Sequence, residues 1–240
     1  MLSSPIPLHG KRIAGRVVAA AIVASVLLFG GAAASGRAQA QAPPAAASGL
    51  PTITFRRVFQ GSVPEFVEIV VRQDGAAKAD VRQLSDTAEP QEFIVGPEFR
   101  DQIFDLARQL KNFKGADLDS HRRVANLGQK TFRWEQGAET YQAQFNYTLD
   151  PKAAQLQKMF ENLAVEQADL GTLEERLRYD RLGVSQALAR FEDHLDQRAL
   201  PQPERFLPLL DRIGDDTRVM EVARQRARSL AARIRVVQGQ

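Results

Sequence analysis

The chain has 240 residues, 44% of them hydrophobic and 25% charged, with no cysteine and a formal charge of +3. That composition excludes a disordered tail or a collagen-like repeat. The missing cysteine excludes a disulfide framework, a thiolate nucleophile, a zinc–thiolate centre and a lipid-modified cysteine.

The charge belongs to the leader. Lys11, Arg12, Arg16 and Arg37 lie in the first 40 residues, which contain no acid; taking these four from 32 basic residues leaves 28 against 29 acidic, a net −1. The remaining chain therefore implies no nucleic-acid partner. Lys11, Arg12 and Arg16 precede a short apolar run at 17–29, and small residues lead to Ala38-Gln39-Ala40. This is the order of a signal peptide over 1–40, cleaved near Ala40 to give a periplasmic or secreted protein. The alternative is an N-terminal membrane anchor, because residues 17–36 hold no charge over 20 positions. That length could span a bilayer, but its last third is Gly, Ala and Ser, which partition weakly into hydrocarbon. Residues 41–50 are a flexible lead-in rich in Ala and Pro, and no transmembrane helix is expected after cleavage.

Residues 52–59 are β-branched and aromatic, and Gly61-Ser62-Val63-Pro64 separates them from a second strand at 65–72. In that strand Val67, Ile69 and Val71 alternate with Phe66, Glu68 and Val70. Asp74-Gly75 predicts a type I′ hairpin with positive φ at both central residues, leading to a third strand at about 78–84. Gly96-Pro97 opens a helix whose stripe is Phe99, Ile103, Leu106, Leu110 and Phe113, with Gly115 as its stop. Residues 130–135 and 139–149 form a hairpin around Gly137, with Tyr141, Ala143, Phe145 and Tyr147 on one face. Asp150-Pro151 caps a helix carrying Leu156, Met159, Phe160 and Leu163. Three strands, a helix, two or three strands and a helix describe an α+β domain over 50–168, an antiparallel sheet with helices on one face.

The Gly61-x-x-Pro64-x-Phe66 turn, Asp74-Gly75, the helix that follows and the closing hairpin resemble domains of uncharacterised bacterial exported proteins. The resemblance covers about half of the chain and implies export and an α+β layout, with no assigned chemistry.

From residue 172 onward the periodicity is helical. Thr172 with Glu175 fits a capping box. Val184, Leu188, Phe191 and Leu195 make a second stripe, and Phe206, Leu209, Leu210 and Ile213 a third. Asp215 or Asp216 caps a last helix with Val219, Ala223, Leu230 and Ile234. This C-terminal all-α region, 172–236, is expected to pack on the α+β domain, since about 65 residues make a marginal core alone. Residues 169–240 contain 13 arginines, no lysine and 12 acids, a balance that favours ion pairs over a basic patch.

No catalytic, cofactor-binding or metal-binding residues emerge. His121 reads as a loop residue and His194 as a solvated helix residue, and no H-E-x-x-H, G-x-S-x-G, Walker loop or G-x-G-x-x-G occurs. Glu174-Glu175, Glu192-Asp193 and Asp215-Asp216 read as charged helix or cap neighbours. Trp134 reads as a core residue, the alternative being that with Tyr141 or Phe145 it floors a ligand groove, and the Asn146-Tyr147-Thr148 sequon as coincidence beside a bacterial-type leader. Arg224, Arg228 and Arg235 fall opposite the last helix's apolar stripe and are the candidate interaction residues. The favoured reading is a non-enzymatic exported protein without cofactor, binding an unknown protein or envelope component through an open sheet edge. The alternatives are an exported carboxylate-dependent hydrolase, and anionic-surface binding through the arginine-rich helix.

Overall fold

The computed structural model describes residues 49–238, with side chains as far as Val236. The expected signal peptide and the lead-in up to residue 48 lie outside the described residues. The chain is α+β. Strands β1 (Thr52–Val58), β2 (Phe66–Arg72), β3 (Ala76–Arg82) and β4 (Gln91–Ile94) precede α1 (Pro97–Gln109). Strands β5 (Gln129–Gln136) and β6 (Glu139–Phe145) precede α2 (Pro151–Tyr179), α3 (Val184–Asp196), α4 (Leu207–Asp215) and α5 (Glu221–Gln238).

All six strands form one antiparallel sheet in the order β4-β3-β2-β1-β5-β6. Alternation decides its faces. Ile53, Phe55, Val67, Ile69, Val71, Phe132, Ala143 and Phe145 are buried under α1 and α2, and their sequence neighbours point to solvent. Strand β4 was not expected. It is short, and it is stitched to the sheet where the Val95 N–H donates to the Gly75 carbonyl at 2.9 Å.

The β2–β3 turn differs from the type I′ expectation. Only Gly75 has positive φ, at +92°, and its N–H donates to the Arg72 carbonyl at 2.9 Å. This is a type I turn followed by a left-handed glycine, so Asp74 needs no strained backbone. Asp74 instead accepts from the Ala76 N–H at 3.1 Å. At the β5–β6 turn Gly137, at φ +59°, takes the first central position between Gln136 and Glu139, as a II′ hairpin requires.

Helix α1 ends at Gln109, earlier than its stripe suggested. Lys111, Asn112 and Phe113 follow in a left-handed turn at φ 56°, 50° and 65°. Such backbone costs roughly 1–2 kcal/mol per non-glycine residue. Phe113 offsets part of that cost: it is fully buried and stacks on Phe132 at 5.2 Å. The β6 alternation also stops early. Tyr147 is exposed, while Thr148 is buried.

Helix α2 is capped as expected, Asp150 Oδ1 accepting from the Lys152 and Ala153 N–H groups at 2.8 and 3.0 Å. It then runs without a break for 29 residues. The expected break at 168–172 is mid-helix, and Thr172 is no cap: its hydroxyl donates back to the Ala168 carbonyl at 2.7 Å. Leu156, Phe160 and Leu163 of α2 join the sheet core, and Leu173 and Leu177 join a second core with α3, α4 and α5. Helix α5 starts at Glu221, later than expected, because Asp216 caps the preceding turn by accepting from the Arg218 N–H at 3.0 Å.

Candidate functional site

The face of the sheet away from the helices is a grid of paired charges. Arg56 and Glu68, directly opposite on β1 and β2, meet at 2.5 Å, and Lys78 and Glu92 on β3 and β4 at 2.8 Å. Thr131, Arg133, Gln142 and Gln144 extend it to β6, ringing a shallow depression of about 260 Å³. Opposite charges across neighbouring strands support the register.

The two sheet edges are unequal. Strand β4 has four residues between Pro90 and Pro97, a short edge that offers little to a further strand. Strand β6 has seven residues, ETYQAQF, with no proline, glycine or lysine. Gln136 and Glu139 close the two-residue hairpin as a hydrogen-bonded pair, so the ladder alternation turns the N–H and C=O groups of Thr140, Gln142 and Gln144 outward. Among the described residues no backbone group outside β5 pairs with Glu139–Phe145. Beneath the edge, Tyr141 stacks on the buried Trp134 at 5.7 Å, and the Lys114 Nζ lies 4.9 Å over the Tyr141 ring. Trp134 is a core residue.

Arg224, Arg228 and Arg235 all face partners within the fold. Arg224 pairs with Glu221, Arg228 donates to the Gly214 carbonyl at 2.5 Å, and Arg235 reaches Asp211 at 2.6 Å. Arg233 and Arg226 reach Glu192 on α3 at 3.0 and 3.5 Å. Arg224 thus pairs within α5, whereas Arg226, Arg228, Arg233 and Arg235 connect it to α3 and α4.

His194 is not a solvated histidine. Its Nδ1 lies 2.6 Å from Asp169, a buried α2 carboxylate that also accepts from Arg190 Nε at 3.0 Å. His121 is an exposed loop residue whose pKa is raised by its 2.7 Å contact with Asp117. Asn146 holds the preceding loop, accepting from the Leu127 N–H at 2.7 Å and donating to the Ala125 carbonyl at 3.0 Å.

Of the paired carboxylates, Glu192 takes arginines from α5. Asp216 is held at a pKa of about 2 by side-chain and backbone hydrogen bonds from Arg218, so it stays anionic at neutral pH. Glu174 and Glu175 are exposed. Among the described residues no group of three His, Asp or Glu side chains could hold a metal ion.

Sequence reasoning missed the buried acids Glu166 and Asp169. Glu166 accepts from Arg205 Nη1 at 2.5 Å and from the Gln202 N–H at 2.8 Å, and the Gln202 side chain accepts from the Gly96 N–H. Their signal was an interruption: two acids within one turn on the face that carries Leu163 and Leu173. No protein-family model matches the sequence, and no curated protein matches it.

Proposed function

We propose that this is an exported, non-enzymatic interaction protein, released near Ala40, whose sheet accepts an extended segment of another protein as a seventh strand beside β6. The carrying observation is the edge itself. Seven residues present unpaired backbone groups at Thr140, Gln142 and Gln144 and lack the proline, lysine or brevity that usually blunts an edge. Main-chain hydrogen bonds would supply affinity, and the polar grid beside Gln142 and Gln144 would supply selectivity. The leader supports an extracytoplasmic site of action. No helix among the described residues is long and apolar enough to cross a membrane.

The test places a photo-crosslinking residue at Thr140 of the full-length protein expressed in a bacterium. The expected result is a single stoichiometric adduct in the envelope or periplasmic fraction, abolished by Gln142→Pro. That substitution deletes an outward N–H without removing a donor from the β5 ladder. An adduct that survives Gln142→Pro, or none from any fraction, would overturn the proposal. N-terminal sequencing of the exported product tests the leader, with Gln41 expected first.

A further inference from the structure

Residues 121–127, HRRVANL, are seven consecutive exposed residues in the connection to β5. Asn146, just past β6, holds them in place. Its Oδ1 accepts from the Leu127 N–H at 2.7 Å, and its Nδ2 donates to the Ala125 carbonyl at 3.0 Å. Upstream, Asp119 Oδ2 accepts from the Asn146 N–H at 2.7 Å, and the Ser120 N–H donates to the Tyr147 carbonyl at 2.8 Å. The loop and the stretch 146–149 therefore share one surface. On it Val124, Leu127, Tyr147 and Leu149 are 40–50% exposed. One exposed apolar side chain is ordinary, but four on a tethered surface mark a place of contact.

The surrounding charge gives that contact its character. Residues 110–130 contain five basic and two acidic residues, a net +3, in a chain whose residues 41–240 carry −1. Arg122 and Arg123 are exposed, and among the described residues neither meets a carboxylate. The neighbouring acids are engaged elsewhere. Asp117 pairs with His121 at 2.7 Å, and Asp119 accepts from the Asn146 and His121 N–H groups. Asp150 caps α2 and is offset by the exposed Lys152 two residues on. An acidic protein surface would supply anions, but protein interfaces deplete charge where they bury apolar groups and must fit the shape of an irregular loop. A nucleic acid supplies phosphates and leaves the aliphatic side chains unmatched. The interface of an anionic bilayer supplies phosphates at headgroup level and hydrocarbon directly beneath.

We propose that this loop docks the protein on an anionic lipid surface. Arg122 and Arg123 lie among the lipid phosphates, and Val124, Leu127, Tyr147 and Leu149 enter the boundary between headgroups and acyl chains. Binding strength of this kind combines buried apolar area with attraction to anionic lipid, so the contact is peripheral and reversible. The surface contains no residue of Glu139–Phe145 and does not rest on strand addition at β6.

The experiment uses the absence of cysteine: Val124→Cys in the full-length protein takes a single environment-sensitive fluorophore. Titration with phosphatidylcholine vesicles containing phosphatidylglycerol should give a saturable blue shift that grows with the anionic fraction. It should be lost near 1 M salt, where the screening length is about 3 Å. The same label at Leu182, an exposed residue of the α2–α3 connection, should not respond, so a vesicle contact made by another part of the chain is told apart from docking by this loop. Arg122→Gln with Arg123→Gln should lower the affinity seen at residue 124 by about tenfold or more, with Tm unchanged because both side chains are exposed. Leu127→Gln should weaken binding at equal charge. Absence of a shift at residue 124, an equal shift with phosphatidylcholine alone, or unchanged affinity in the double arginine variant or in Leu127→Gln would overturn the proposal. So would a label that ignores vesicles and responds to a lipid-free envelope protein extract, which would assign the surface to a protein.

Discussion

Arg205 and Glu166 meet at 2.5 Å where α2 passes from the sheet core to the helical core. The Arg205 guanidinium also lies 4.8 Å over the ring of Phe93 on β4, so a residue of the helical region touches the sheet domain directly. One turn along α2, Asp169 holds Arg190 and His194 of α3. Two buried acids on one helix thereby fasten both the 202–205 segment and α3.

Removing Glu166 should cost far more than an average substitution. Glu166→Ala leaves the Gln202 N–H and Arg205 without their acceptor, and breaking a buried pair this way costs about 3–5 kcal/mol. Denaturant unfolding of the full-length protein measures it.

Glu166 also gives a pH signature. Burial pushes its pKa above the ordinary 4.5, against the opposing pull of Arg205 and the Gln202 N–H. A carboxyl whose folded pKa is raised binds protons better when folded. Its stabilising contribution is therefore fully present below 4.5 and is lost as pH rises through the folded value. Relative to Glu166→Gln, which does not titrate, the native protein should gain stability as pH falls from 7 toward 4.5. A difference that stays flat over that window would remove the role assigned to burial.

The left-handed turn after α1 predicts a stabilising substitution. Lys111 is exposed at φ 56°, so Lys111→Gly relieves strain without touching the core. A gain of up to about 1 kcal/mol is expected from thermal or denaturant unfolding.

Asp216 should titrate near 2 in the native protein, and Arg218→Ala should move it back toward 3.8 by removing the largest cause of the shift. Its contribution to stability is present above 3.8 and lost as pH falls through the folded value. A carboxyl-carbon NMR titration reads both proteins directly.

Much of the sheet was legible because alternation is a local signal: Val67, Ile69 and Val71 against Glu68 and Val70 leaves one assignment. Strand β4 was not legible, since it has four residues and buries only Phe93; tertiary pairing with β3 makes it a strand. Gly171 and Thr172 read as a helix break, because glycine costs about 1 kcal/mol in a helix interior. Leu173 and Leu177 carry the stripe across it into the second core, and packing prevails. The α5 arginines could be placed on a face, but their partners Glu192, Asp211 and Gly214 are 14 to 41 residues away.

The claim that β6 is a free edge for an incoming strand is tested most directly by residue-resolved amide hydrogen exchange, first on the free protein and then on its complex with the crosslinked partner. In the free protein the amides of Thr140, Gln142 and Gln144 should exchange rapidly, while those of Tyr141, Ala143 and Phe145, bonded to β5, stay protected. In the complex the first three should become protected as well. Protection of Thr140, Gln142 and Gln144 already in the free protein, or their continued rapid exchange in the complex, would contradict strand addition at β6.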